Sequence, residues 1–104
     1  MTTTDLILVR MKTALNRAYG DRVKRAILYG SRARGDNRPD SDYDIAVFLE
    51  GYADFGKEAH TLAEIETVIL NETGAVINSL PFPVAAYEER TGLMQEIRRE
   101  GSDL

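Results

Sequence analysis

The 104-residue sequence contains no cysteine, and its one histidine is His60. Disulfides, zinc–thiolate sites and thiol nucleophiles are therefore excluded, and a single histidine excludes a multi-histidine metal site. We expect His60 to be a surface residue. The longest unbroken apolar run, residues 45–49, is far shorter than the roughly 20 residues that cross a bilayer. The first residues also lack the basic start and apolar stretch of a signal peptide, so we expect a cytoplasmic protein without a membrane partner.

The net charge of −4 conceals an uneven distribution along the chain. Residues 1–38 hold nine basic and three acidic side chains, whereas residues 39–104 hold four basic and fourteen acidic ones. This division fits either an anionic ligand held by cations beside a metal held by carboxylates, or two solvated faces. The acidic total disfavours nucleic acid as a direct ligand, although the basic first part leaves that alternative open.

Hydrophobic periodicity predicts three helices and three strands. The helices are predicted over residues 5–19, 57–72 and 87–100, and the strands over residues 26–29, 43–49 and 75–80. We expect Thr4 to cap the first helix, and Pro81 and Pro83 to end the third strand. This order predicts a single domain over residues 1–104 of α/β (α+β) class, with a small mixed sheet and helices packed against it.

Two acidic residues begin the second predicted strand. Asp42 and Asp44 are two positions apart, so their side chains point to the same face of the sheet. Two such anions repel each other unless a cation lies between them, and Mg²⁺ prefers oxygen ligands and keeps positions for substrate phosphates. A pair of carboxylates can also hold two ions for in-line displacement at phosphorus. The pattern by itself is more typical of two solvated aspartates at a strand edge.

A glycine–serine pair follows the first predicted strand. Gly30 and Ser31 form a strand-to-helix junction, where backbone N–H groups are free to bind a phosphate. Gly30 has no Cβ to obstruct the approach of a phosphate, and the Ser31 hydroxyl is a further donor. Arg32 and Arg34 follow, and they either add charge-assisted contacts to the nucleotide or pair with the acidic part of the chain.

Together these residues resemble a known family. Gly30-Ser31, ten intervening residues and Asp42-x-Asp44 are similar to the signature of the minimal nucleotidyltransferases, relatives of the DNA polymerase β catalytic core. The resemblance covers essentially the whole chain and implies a polymerase-β-like fold. It implies that the turn at Gly30 and Ser31 holds the triphosphate of ATP, and that Asp42 and Asp44 are catalytic and bind one or two Mg²⁺ ions.

The resemblance also implies a partner and a reaction. Many stand-alone members of this size are similar to antitoxins paired with a HEPN-domain ribonuclease toxin. Such an antitoxin transfers AMP from ATP to a tyrosine hydroxyl of the toxin and silences it. We therefore expect a hetero-oligomer of this chain with a HEPN-type toxin.

The sequence departs from the family pattern at one position. Members with full activity often carry a third carboxylate on the strand after the second long helix, where this chain has Asn78. A neutral amide is a weak metal ligand at best and cannot accept a proton at neutral pH. The alternative reading is therefore a catalytically weak nucleotide-binding module that neutralises its partner by occlusion. Transfer to a small molecule is a third reading, disfavoured because so short a chain has little surface for a drug pocket.

Several aromatic residues surround these motifs. Tyr29 and Tyr43 either pack within the sheet or stack on a base. We expect Phe48 and Phe55 to lie in the core. Phe82, between two prolines, either belongs to the end of the strand or is an exposed contact for a partner.

Overall fold

The computed structural model describes residues 5–104. Its elements are α1 (Leu6–Tyr19), β1 (Val23–Tyr29), α2 (Ser31–Arg34), β2 (Tyr43–Leu49), α3 (Phe55–Thr73), β3 (Ile77–Pro83), α4 (Gly92–Glu100) and β4 (Ser102–Asp103), with 3-10 turns at Gly20–Arg22 and Val84–Glu88. The predicted α/β class with a small mixed sheet is confirmed. None of the helices in the described part of the chain has the length and apolar character needed to span a membrane.

The four strands form one sheet in the order β3-β2-β1-β4. β2 runs antiparallel to β1 and parallel to β3, and α3 makes the crossover that a parallel pair requires. The register places Tyr29 of β1 opposite Asp44, and Asp44 beside Asn78 of β3. The first residues of β2 therefore lie at the end of β1 that leads into α2.

Strand β2 contributes side chains to two apolar cores, one on each face of the sheet, because successive side chains of a strand point to opposite faces. Tyr43, Ile45, Val47 and Leu49 join one apolar cluster with buried residues of α1 and α3: Leu8, Met11, Leu15, Tyr19, Leu62, Ile65 and Ile69. The intervening residues Ala46 and Phe48 join a smaller cluster on the other face: Ile27, Ala86, Met94 and Ile97. Asp44 points to the same face as Ala46 and Phe48, which the 3-10 turn Val84–Glu88 and α4 cover in the described part of the chain.

Helix α1 begins one residue later than predicted. Its N-cap is Asp5, whose carboxylate accepts hydrogen bonds from the backbone N–H groups of Ile7 at 2.8 Å and Leu8 at 3.4 Å. Thr4, the predicted cap, lies outside the described residues. An aspartate at this position satisfies the free N–H groups of the first turn as well as a threonine would.

The prediction that the third strand ends at Leu80, before Pro81 and Pro83, is wrong, because both prolines belong to β3 and the strand ends at the second of them. The backbone N–H of Ser79 donates to the Glu66 carboxylate of α3 at 2.8 Å, so that N–H points away from β2. By the two-residue period of a strand, the nitrogens of Pro81 and Pro83 also point outward, where no ladder hydrogen bond is lost. Both prolines therefore fit in this edge strand, and they protect it against pairing with another chain.

The predicted helix over residues 87–100 is wrong in its first third. Helix α4 begins at Gly92, with Thr91 as its cap, and the 3-10 turn Val84–Glu88 precedes it. Strand β1 also starts at Val23, three residues before the predicted start, and β4 was not predicted. A two-residue strand gives no periodic signal, since its two residues pair with β1 only after the chain has folded back.

The phenylalanines follow the predictions in part. Phe48 is fully buried, as expected, but Phe55 is 58% exposed because it occupies the first position of α3. Phe82 is half-buried and stacks on Phe48 with 5.5 Å between ring centroids, so it is a packed strand residue and not an exposed contact. His60 is exposed, as predicted, and pairs with Glu64 at 2.9 Å.

A buried ion pair holds the loop after β2 on the side away from Asp44. Glu58 of α3 is 1% exposed and pairs with the half-exposed Arg22, and it also accepts the N–H of Ala53 at 3.4 Å. Arg22 donates further to the carbonyls of Glu50 at 3.0 Å and Gly51 at 3.1 Å. The ion pair thus ties together the start of β1, the end of β2 and the start of α3.

Candidate active site

The turn at Gly30 connects β1 to α2 and lies against Asp44. Gly30 has φ +75° and ψ −156°, a conformation that essentially only glycine adopts. A Cβ built on Gly30 would lie 2.6 Å from Oδ2 of Asp44, which is too close for any side chain. Glycine is therefore required here by both backbone conformation and space, and its absent side chain lets the Asp44 carboxylate reach the turn.

Ser31 is the first residue of the short helix α2. The N–H groups of Ala33 and Arg34 both donate to the Gly30 carbonyl at 3.1 Å, which closes the helical turn expected from the sequence. Ser31 and Arg32 precede Ala33 in the chain and occupy the start of α2. At the start of a helix the backbone N–H groups have no acceptor within the helix. Such donors beside a glycine suit the oxygens of a phosphate.

Asp42, Asp44 and Asn78 meet at the start of β2 and β3. The Asn78 amide nitrogen donates to Oδ2 of Asp42 at 2.8 Å, and Asn78 is the register partner of Asp44. Burial raises the pKa of Asp44, and the neighbouring carboxylates of Asp42 and Glu96 raise that pKa further. An interaction of the Asn78 amide with Asp44 itself and the positive charge of Arg34 act on the Asp44 pKa in the opposite direction.

The two motifs predicted from the sequence are thus neighbours in space. Gly30 touches Asp44, and Asp44 lies beside Asp42 and Asn78. Within residues 5–104 no cluster of three or more His, Cys, Asp or Glu side chains is arranged to hold a metal ion. Two carboxylates fit Mg²⁺ nevertheless, because this ion is commonly held by one or two carboxylates together with substrate phosphates.

Arg32 holds the loop between α2 and β2. Its guanidinium donates to the carbonyls of Ser41 at 3.0 Å and Pro39 at 3.2 Å, and it stacks 3.9 Å from the centroid of the Tyr43 ring. These contacts fix the loop that leads into Asp42.

Arg34 pairs with acidic residues of its own chain. Its guanidinium lies 3.3 Å from Asp36, 3.4 Å from Glu96 and 3.5 Å from Glu100. Of the two roles left open by the sequence, the structure displays the pairing with the acidic part of the chain. Glu96 and Glu100 were missed as neighbours of the site, because the spacing of an amphipathic helix does not reveal which other element its polar face will meet.

The two tyrosines beside the motifs differ in environment. Tyr43 is buried in the α1/α3 core, and its hydroxyl donates to Asp5 at 3.0 Å, so Tyr43 is a packing residue. Tyr29 is half-buried on the same face as Asp44, its cross-strand partner. Burial raises the pKa of Tyr29, and the charges of Asp44 and Glu96 raise it further. The Tyr29 ring therefore forms part of the wall of the site.

Comparison with known proteins identifies the family of this chain. The sequence matches the family described as "Polymerase beta, Nucleotidyltransferase" over residues 11–103. This chain therefore belongs to the polymerase β nucleotidyltransferase family. A protein of Methanocaldococcus jannaschii named "Putative protein adenylyltransferase MJ0604" is 39% identical over 67 residues, which cover 64% of this chain and 61% of the relative. The matched segment thus spans less than two thirds of that relative.

Solved structures agree on the fold. A toxin–antitoxin crystal structure with AMP-PNP superposes with a TM-score of 0.68 at 18% identity, covering 91% of this chain and 69% of the other. The structure of a "putative minimal nucleotidyltransferase" superposes with a TM-score of 0.62 at 21% identity, covering 100% of both chains. At these identities the likeness establishes a shared nucleotidyltransferase fold.

Proposed function

We propose that this chain is a Mg²⁺-dependent adenylyltransferase that transfers AMP from ATP to a tyrosine hydroxyl of a HEPN-type toxin and thereby acts as its antitoxin. The observation that carries the proposal is the contact between Gly30 and Asp44, which joins a phosphate-binding turn to a pair of carboxylates. The relative named a putative protein adenylyltransferase and the toxin–antitoxin structure with AMP-PNP support adenylyl transfer and a toxin partner, and the HEPN type and the tyrosine acceptor come from the family resemblance. We assign the activity to one minimal nucleotidyltransferase domain over residues 1–104.

The residues of the site have separate tasks in the proposed reaction. The backbone N–H groups at Ser31 and Arg32, with the Ser31 hydroxyl, hold the β- and γ-phosphates of ATP. The acceptor hydroxyl attacks the α-phosphorus, its proton passes to solvent, and the bond to pyrophosphate breaks as the new ester bond forms. Positioning and electrostatic stabilisation supply most of the rate acceleration in such a transfer.

Asp42 and Asp44 are the residues that would hold Mg²⁺. When bound, the ion would neutralise negative charge on the phosphates and polarise the group that is transferred. Burial raises the pKa of Asp44, and an interaction of the Asn78 amide with Asp44 itself and the Arg34 charge oppose that rise. The Asp42 side chain is oriented by its hydrogen bond from Asn78.

The proposal is tested with Asp42→Asn combined with Asp44→Asn. The variant is incubated with ATP labelled at the α-phosphate and with the proposed HEPN-type toxin. We expect loss of labelling on the toxin with the fold retained, as measured by circular dichroism. Asp40→Asn is the matched control, since Asp40 is an exposed residue of the same loop. Undiminished labelling in the double variant would remove both aspartates from the mechanism.

Neutralisation by occlusion is the second candidate function. The observation that favours it is Asn78, which stands where active members of the family often carry a third carboxylate and which here bonds to Asp42. The same double variant separates the two functions when its ability to suppress toxicity is measured in growing cells. If transfer is responsible, the variant no longer protects the cells; if occlusion is responsible, it protects them as well as the unmodified chain.

A further inference from the structure

Asp42 and Asp44 form the acid pair of the candidate site. In the described part of the chain, Asn78 is the only side chain seen to donate a hydrogen bond to this pair. The amide nitrogen of Asn78 donates to Oδ2 of Asp42 at 2.8 Å. The parallel register fixes the origin of this amide, because Asn78 lies directly beside Asp44 on the neighbouring strand. The pairing of β2 with β3 therefore fixes the position of Asn78 relative to Asp44.

Asp42 needs such a partner more than Asp44 does. Asp44 lies within β2, is partly buried and packs against the turn at Gly30. Asp42 precedes β2, is exposed, and has no ladder position in the sheet. A side chain in that position samples several rotamers unless a hydrogen bond selects one of them.

The chemistry of the amide suits this task. A carboxylate at position 78 would add a third negative charge to two that already repel each other. An amide donor instead forms a charge-assisted hydrogen bond with Asp42, and such bonds are shorter and stronger than neutral ones. In metal sites, hydrogen bonds of this kind hold the ligands in the orientation that the ion requires.

We propose that Asn78 is a positioning residue, which orients the Asp42 carboxylate for a divalent cation through its amide nitrogen and does not itself bind the ion. This inference rests on the proposed function, because it presupposes that Asp42 is a metal ligand. Asn78 and Asp42 then act as one unit, whose two members contribute to metal affinity together and not separately.

A double-mutant cycle on metal affinity tests the inference without using the transfer reaction. The ligand is Mn²⁺ in the presence of α,β-methylene ATP, which cannot transfer AMP, and free Mn²⁺ is measured by its electron paramagnetic resonance signal. The four proteins are the unmodified chain, Asn78→Ala, Asp42→Asn, and the variant with both changes. Asn71→Ala, an exposed asparagine on α3, is the matched control.

We expect Asn78→Ala to weaken Mn²⁺ binding roughly tenfold in the unmodified background, as the loss of a hydrogen bond to a metal ligand typically does. In the Asp42→Asn background, where the charged acceptor is gone, the same change should alter affinity less than about twofold. Asn71→Ala should leave the affinity unchanged. Because Asn78 is exposed, we expect all variants to retain the fold.

Other results overturn the inference in different ways. A tenfold loss in both backgrounds would show that Asn78 acts as a direct ligand or through Asp44 and not through Asp42, and no loss in either would deny it a role. A failure of the unmodified chain to bind Mn²⁺ with the analogue would overturn the proposed function itself, and the inference with it. If the unmodified chain binds and the cycle is additive, only the inference fails.

Discussion

The two faces of the sheet are built from the same strands and have opposite properties. On one face, α1 and α3 cover β2, and the side chains between them form the larger apolar core. On the other face, α4 and the 3-10 turn Val84–Glu88 form a smaller apolar cluster with Ala46 and Phe48, and Asp44 lies beside Asn78 at the start of β2. Because successive residues of β2 alternate between the faces, one segment of chain supplies both the rigid support and the charged groups. The packed face stabilises the fold, and the polar face is available for chemistry.

The largest effect on the polar face is expected from Gly30→Ala. The new Cβ would meet the Asp44 carboxylate 2.6 Å away, so the turn or the aspartate must move. A displacement of about 1 Å in an active site can cost roughly 100-fold in rate, and we expect AMP transfer to fall by at least that much.

Gly35→Ala is the matched control for this prediction. Gly35 also has positive φ, at +83°, but a Cβ there meets no atom within 4 Å. Both variants should lose about 1–3 kcal/mol of stability from backbone strain, measured by urea unfolding, whereas only Gly30→Ala should lose transfer activity. Equal activity losses would show that the contact with Asp44 has no special role.

The packed region is tested by Glu58→Ala. Removing this buried carboxylate leaves Arg22 without its ion-pair partner and frees the loop after β2. We expect a loss of about 3 kcal/mol in the free energy of unfolding, at the low end for a broken buried pair because Arg22 is partly exposed. Transfer activity of the folded protein should be unchanged.

Glu64→Ala provides the comparison, since the pair between Glu64 and His60 is exposed. Its effect on the free energy of unfolding should be below about 0.5 kcal/mol. If Glu58→Ala were equally mild, the ion pair would not hold the packed region together. If it abolished transfer in folded protein, the two regions would not be separable.

A smaller effect is expected from Arg34→Ala on the binding of ATP. The guanidinium is engaged by Asp36, Glu96 and Glu100, so removing it should change the apparent KM for ATP less than about threefold. The measurement is the rate of AMP transfer as a function of ATP concentration. An increase in KM of tenfold or more would show that Arg34 leaves these carboxylates to contact the nucleotide.

The smallest effect concerns stability at high pH. Burial raises the pKa of Tyr43 above its usual value of 10.0, and the hydrogen bond to Asp5 raises it further. The folded protein therefore retains the Tyr43 proton more tightly than the unfolded chain does. The contribution of this hydroxyl to the free energy of unfolding is complete below pH 10 and is lost as the pH rises beyond it. Tyr43→Phe should show a shallower loss of stability between about pH 9 and 11, measured by urea unfolding. Identical slopes would contradict the shifted pKa.

The elements that sequence reasoning predicted best are those with a strong period of their own. The β2 limits, the stop of α1 at Gly20 and the helical turn at Ser31 all depend on local residues and agree with the structure. The strand through Pro81 and Pro83 was mispredicted, because the direction of a proline nitrogen depends on which side of β3 has a neighbour. That information belongs to the sheet and not to the segment.

The candidate site shows the same division. The spacing of Gly30, Ser31, Asp42 and Asp44 predicted which residues would meet, and the first and last of them are in contact. The Asn78–Asp42 hydrogen bond and the engagement of Arg34 by Glu96 depend on strand register and on the packing of α4. Neither is encoded in a local pattern, since each joins residues 36 or more positions apart.

The most direct measurement is a crystal structure of the protein with Mg²⁺ and α,β-methylene ATP. We predict the β- and γ-phosphates at the N–H groups of Ser31 and Arg32, with the ion between the α-phosphate and the carboxylates of Asp42 and Asp44. A nucleotide bound elsewhere, or an ion that contacts neither aspartate, would contradict the account.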